Sequence, residues 1–291
     1  MISEDKYNLC PIWDATFSIY KEIEEICNRH GLRYYVTDGT LIGAIRHKGF
    51  IPWDDDFDMS MPRPDYEKFI EIAKKELPPH LKFVNWKNTS EMPFLFGKVQ
   101  DSRGAEVARI EKETGRQLSN GLFVDIFPVD GYPTKLVEIM ATRVRARLLG
   151  CMIRFKTMKF GQQTMKGKLV WTVGLVFSLL LPWLRIKDCM RICERMLTSH
   201  PFDDSEFTGR ASLRVHMLNR KPLLRKVWGT GNLHEFHTGQ VRVPDEYDVY
   251  LRSIYGEYMT LPPESCRHPS HSYSWRCPWW LGPTRGEESA Q

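Results

Sequence analysis

The sequence predicts an α+β fold, a mixed sheet flanked by helices with a helical C-terminal part. Three observations predict it. Helical and β-rich segments interleave up to residue 77, a run of strands follows to 127, and from about 134 the chain turns helical and basic. Composition agrees: 42% hydrophobic and 26% charged residues suffice for a sizeable core.

Residues 14–30 form an amphipathic helix in this reading. Asp14 is its N-cap, Phe17, Tyr20, Ile23, Ile26 and Cys27 repeat at helical spacing, and Gly31 stops it. Tyr34–Thr37 is a short β-rich run. Asp38-Gly39-Thr40 breaks it and opens a short helix over Leu41–His47. A strand is expected at 57–61, then a helix over Asp65–Leu77 with Pro64 in its first turn. Strands follow at Leu81–Asn85, Phe94–Asp101, Ala105–Ile110 and Leu122–Phe127, the last ending at Pro128. Beyond the helical region, 208–243 is mixed, Pro244–Tyr258 reads as a final helix, and the tail from Ser274 as irregular.

The net charge of +5 suits anionic ligands or a membrane surface. No Lys/Arg-rich run with interleaved aromatics points to nucleic acid. Seven cysteines without a CxxC pair suggest a reduced, cytoplasmic compartment, and the acidic N-terminus lacks the apolar core of a secretory signal. Leu169–Leu184 is uncharged, but its sixteen residues fall short of the roughly 20 that span a bilayer, and Pro182 interrupts it. It reads first as a buried or groove-forming helix and second as an interfacial membrane contact.

The chemistry concentrates in Trp53-Asp54-Asp55-Asp56-Phe57-Asp58, four carboxylates within five positions. Strand alternation would place Asp56, Asp58 and Ser60 on one face and Phe57, Met59 and Met61 on the other, with Asp55 pointing elsewhere. Carboxylates facing the same way repel unless a cation lies between them. A calcium loop starting at Asp54 is rejected, because its sixth and twelfth positions hold Met59 and Asp65 in place of Gly and Glu. Upstream, Gly39 permits close backbone approach, and Thr40 offers a hydroxyl to a phosphate. Downstream, Asp125 lies between Phe123 and Phe127, a costly place for a carboxylate that is neither paired nor metal-bound. It reads as a third metal ligand, a base or a structural cap, whereas Asp130 reads as structural. Lys98 and Arg46 are the candidate phosphate-binding cations; Lys98 interrupts an apolar strand. Trp53, Phe94, Phe96 and Tyr132 could form an aromatic wall for a quaternary ammonium.

A Gly-Thr turn followed by a strand bearing Asp-x-Asp is the layout of nucleotidyltransferase-fold enzymes. The run from Thr37 to Asp58, Met61-Pro62-Arg63, Phe123–Asp130, Tyr247–Leu251 and Tyr255–Pro263 resemble the LicD family. That resemblance implies a nucleotidyltransferase-like fold with Mg²⁺ or Mn²⁺ on Asp56, Asp58 and Asp125. It also implies a CDP-alcohol donor, CDP-choline first and CDP-ribitol or CDP-glycerol as alternatives. The expected acceptor is a cell-surface glycan, such as lipopolysaccharide or teichoic acid, or its lipid-linked precursor. The expected place is the cytoplasm, at the inner face of the membrane. Residues 1–133 would be the catalytic core, 134–273 a mostly helical part completing the site and acceptor region, and 274–291 a tail to which the resemblance does not extend. A catalytically silent glycan- or nucleotide-binding protein is the alternative of another class.

Overall fold

The computed structural model describes residues 7, 9–89, 94–104, 108–111, 117–157, 165–210, 222–269 and 271–273. The fold is α+β, with a mixed sheet flanked by helices. The first helix, α1, spans Cys10–Arg29 and starts earlier than expected. Pro11 occupies its first turn, where a missing N–H is tolerated, so Asp14 lies inside the helix and does not cap it.

The central sheet runs β1 (Tyr35–Val36), β2 (Asp58–Pro62), β7 (Phe123–Tyr132), β4 (Gly97–Asp101), β3 (Leu81–Val84). β2 and β7 are parallel, while β1–β2, β4–β7 and β3–β4 are antiparallel. β7 runs on through Pro128, where the sequence suggested an end. Pro128 falls between residues 123–126, which pair with β4, and residues 129–132, which pair with β8 (Phe207–Arg210), an interval where a missing N–H is tolerated. The mixed region 208–243 supplies β8 (Phe207–Arg210), β9 (Leu223–Leu224) and the hairpin β10–β11 (Asn232–Phe236, Gly239–Val243). β5 (Ala108–Glu111), β6 (Gln117–Asn120) and β12 (His271–Tyr273) form a small second sheet.

Alternation on the central strands is strict. Met59, Met61, Val99, Val124 and Ile126 are fully buried on one face, in a core shared with α1 and α3 (Arg63–Glu76). The other face carries Asp58, Lys98 and Asp125. A second, smaller cluster joins α4 (Leu136–Thr157) and α6 (Ile186–Leu197) to Trp86 and Leu95, with α5 (Met165–Leu180) packed against α4. The C-terminal helix α7 is Tyr247–Tyr255. The expected irregular tail, 274–291, lies outside the described residues.

Candidate active site

Register brings the site together. Asp58 on β2 lies beside Asp125 on β7, and Asp125 lies opposite Lys98 on β4. Paired residues on neighbouring strands share a face, so the three side chains form one row across the sheet. Lys98 Nζ is 2.5 Å from Asp125 Oδ1, and both side chains are buried. The ammonium also sits 3.4 Å from the Phe123 ring centroid and 5.4 Å from that of Phe96. Lys98 is thus neutralised by Asp125 and enclosed by aromatic faces.

The acidic run differs from its sequence expectation in two respects. β2 begins at Asp58, so Asp56 precedes the strand and alternation does not orient it. In the loop, Asp54, Asp55 and Asp56 converge, with one carboxylate oxygen of each within 4.8 Å of the others. Asp55, expected to point elsewhere, belongs to this group because an irregular backbone imposes no two-residue period. The loop is held from below: the Trp13 indole N–H donates to the Asp54 carbonyl at 2.8 Å, and Trp13 stacks on Phe50.

Electrostatics link the loop to the row. Burial, then the charges of Asp56 and Asp55, push the Asp54 carboxyl up to about 8. Burial, then the charges of Asp56, Asp125 and Asp54, hold Asp58 well above the usual carboxylate range, with Lys98 opposing. A set of crowded oxygen ligands with this much mutual repulsion fits a hard divalent cation.

The preceding turn is fitted to the loop. A Cβ at Gly39 would overlap the Asp54 carboxylate, so a larger residue here would displace that side chain. The Thr40 hydroxyl accepts the Asp58 backbone N–H at 2.8 Å and pins the start of β2. Helix α2 (Asp38–Ile42) passes into a π-helical turn, Gly43–His47, a local widening often found at functional sites. Arg46 leaves this turn to donate to the carbonyls of Tyr258 and Thr260 and, through Nε, to His47 Nε2. Burial and the neighbouring guanidinium push His47 down to about 4, so it is neutral at pH 7.

Residues 31–147 match the family described as LicD/FKTN/FKRP, nucleotidyltransferase domain. The chain contains a LicD-family nucleotidyltransferase domain. Along its length it is 28% identical to the lipopolysaccharide cholinephosphotransferase LicD of Haemophilus influenzae, over 84% of this chain and 89% of that protein. Shorter stretches are similar to uncharacterized proteins of Rickettsia typhi (31% identical, 25% of this chain and 22% of that protein) and Rickettsia prowazekii (37% identical, 28% of each).

The LicD-family domain holds every candidate residue read from the sequence, yet the structure adds partners from outside it. Arg210, at the end of β8, forms a buried ion pair with Asp38 and lies 4.1 Å from the Phe127 ring centroid. Asp38 adopts φ +50°, a left-handed conformation costly for a residue with a Cβ, and Tyr255 of α7 donates to its carboxylate at 3.3 Å. Arg210 also lines a cavity of about 80 Å³ with Tyr132, Arg143, Thr208, Trp228 and Tyr250. Sequence reading missed Arg210 and Tyr255, which lie more than 170 positions from Asp38. The Asp-Gly-Thr turn was the available signal for Asp38.

The aromatic wall is partly as expected. Phe94 stacks on Phe96 (5.1 Å), and Phe96 meets Phe127 (4.4 Å). Trp53 lies apart, against Arg267 and His47. Tyr132 belongs to the cavity lining.

Proposed function

We propose that this chain transfers a substituted phosphate from a CDP-linked alcohol to a sugar hydroxyl and releases CMP. Phosphocholine from CDP-choline is the first candidate, and a cell-surface glycan or its lipid-linked precursor is the acceptor. The observation that supports this reading most is the row Asp58–Asp125–Lys98 beside the converging carboxylates of Asp54, Asp55 and Asp56. Mg²⁺ or Mn²⁺ held by Asp56, Asp58 and Asp125, with Asp54 and Asp55 adjoining, would neutralise charge on the diphosphate.

The chain's own residues do the rest. Gly39 keeps the turn against the loop, and Thr40 fixes Asp58 at the strand start. Lys98 holds Asp125 in place through their ion pair. Arg46 braces the C-terminal segment, a different use from the phosphate contact expected of it. In the reaction, the acceptor oxygen attacks the phosphorus bearing the alcohol. A new P–O bond forms, the bond to the CMP oxygen breaks, and CMP leaves with the electron pair. The hydroxyl proton passes to a carboxylate; Asp125 serves either as that base or as a metal ligand.

Choline rests on the likeness to the Haemophilus protein more than on the aromatic residues. The faces of Phe123 and Phe127 already meet Lys98 and Arg210, with which a quaternary ammonium would compete. That observation favours a polyol donor, CDP-ribitol or CDP-glycerol, as the second reading. Labelled CDP-choline, CDP-ribitol and CDP-glycerol, each with Mg²⁺ and candidate glycans, test the proposal. The expected result is CMP release with one donor, abolished in Asp58→Ala. No CMP from any donor, or full activity in Asp58→Ala, refutes it. Metal-independent ligand binding without turnover would favour the silent binding protein.

A further inference from the structure

The hairpin of α4 and α5 carries an apolar face that the transfer chemistry does not use. The two helices run antiparallel: Phe155 meets Trp171 at 4.8 Å, and Gly174 lies tight against the Cys151 carbonyl. Cys151 of α4 is buried beside Gly174, and Met152 and Ile153 are buried in the cluster shared with α6, with Phe177 and Leu181 packed against it. The outer side of α5 and the turn after it is open. Leu169 (69% exposed), Val176, Leu179 (71%) and Leu180 (64%) recur at helical spacing on one side of α5, and Trp183 (70%) is exposed in the turn that follows. On α4, Leu136, Val137, Met140 and Val144 are also exposed. Continuing the 151–174 and 155–171 pairings brings Val144 level with the end of α5, and Leu136, Val137 and Met140 lie further along, past that end. Isolated exposed leucines are ordinary, whereas five large exposed apolar side chains between Leu169 and Trp183 mark an interaction surface.

Charge selects the occupant. Residues 134–200 hold 13 Lys and Arg against 3 Asp and Glu, a net +10. The remaining chain holds 28 against 33, a net −5. The three acids of the basic region are each already ion-paired: Glu138 with Lys135, Asp188 with Arg191, and Glu194 with Lys87. A second copy would bring like charge against like. An anionic phospholipid surface complements both the cations and the apolar side chains. No helix among the described residues is long and apolar enough to cross a membrane. Lys168 before the uncharged stretch and Arg185 and Lys187 after it are placed to reach headgroups from a helix lying in the interface.

We propose that the outer face of the α4–α5 hairpin docks on anionic phospholipid bilayers, with α5 in the plane of the interface. Binding is read without turnover, so this inference and the transferase reading fail separately. The test is flotation of the full chain with vesicles of phosphatidylcholine alone and of phosphatidylcholine with phosphatidylglycerol. The bound fraction is expected to be about tenfold higher with phosphatidylglycerol and to fall as salt is raised. Leu179→Gln, Leu180→Gln and Trp183→Gln combined should cut it about tenfold with an unchanged circular dichroism spectrum, because these side chains are exposed. Lys168→Gln with Lys187→Gln should weaken binding to the anionic vesicles and lessen its salt dependence. Failure of the full chain to float with anionic vesicles overturns the proposal, as does unchanged recovery of the triple variant. A concentration-dependent dimer that the triple variant dissolves, without vesicle binding, would assign the face to a second copy instead.

Discussion

At the scale of single residues, repulsion among the aspartates dominates the site. Asp54 and Asp58 have raised pKa values in the folded chain, so the folded state binds more protons than the unfolded one above the unfolded pKa near 4. Their stabilising contribution is complete below that value and is lost as pH rises through the folded pKa, about 8 for Asp54. With chelator present, the unfolding midpoint should therefore fall between pH 5 and pH 8, as measured by calorimetry over that range. Mg²⁺ should raise the midpoint most at the alkaline end, because binding displaces those protons. A midpoint that rises with pH in chelator would contradict this account of the cluster. Gly39→Ala tests steric fit. Its methyl overlaps the Asp54 carboxylate, so a stability loss of about 1–3 kcal/mol with weakened Mg²⁺ binding is expected from urea titration and calorimetry.

At the scale of elements, the connection between α3 and β7 decides how firmly the acidic strand pair is held. Arg63 Nε and Nη2 donate to the two carboxylate oxygens of Asp130 at 2.7 and 2.8 Å, and both residues are buried. Arg63 opens α3 directly after β2, and Asp130 lies in the second half of β7. The pair therefore ties the helix to the neighbour of the strand it follows. Asp130→Asn would remove the bidentate countercharge of a buried guanidinium and leave it only Glu67 at 3.2 Å and Glu194 at 3.8 Å. The expected cost is about 2–4 kcal/mol of unfolding free energy, read from denaturant titration, whereas breaking an exposed pair such as Arg252–Asp248 should leave the midpoint almost unchanged. A small effect of Asp130→Asn would show that the pair does not anchor the sheet. The structural role read for Asp130 from its turn-like sequence thus has a partner, although the residue lies within a strand.

At the scale of the whole molecule, the C-terminal part closes back on the first sixty residues. Phe236, Val241, Val243, Tyr250, Leu251 and Tyr258 join the main core. Arg46 holds the carbonyls of Tyr258 and Thr260, His237 N–H donates to the Lys48 carbonyl, and Tyr255 reaches Asp38. Arg46→Ala removes the first of these connections. Limited proteolysis should then cut after 255 faster by about tenfold, with a smaller change in the global unfolding midpoint. Unchanged cleavage would show that Arg46 does not hold the segment.

The sequence by itself determined the local terms. Helical spacing located α1 and α3, alternation separated Met59 and Met61 from Asp58, and Gly39-Thr40, Asp58 and Asp125 stood out because their chemistry is costly anywhere but a site. These properties depend on neighbours a few positions apart. Only the tertiary structure decided the rest: the row of Asp58, Asp125 and Lys98, the convergence of Asp55 with Asp54 and Asp56, and the pairing of Asp38 with Arg210. Register between strands distant in sequence, and the path of an irregular loop, follow from packing of the whole core. No periodicity in the chain encodes them.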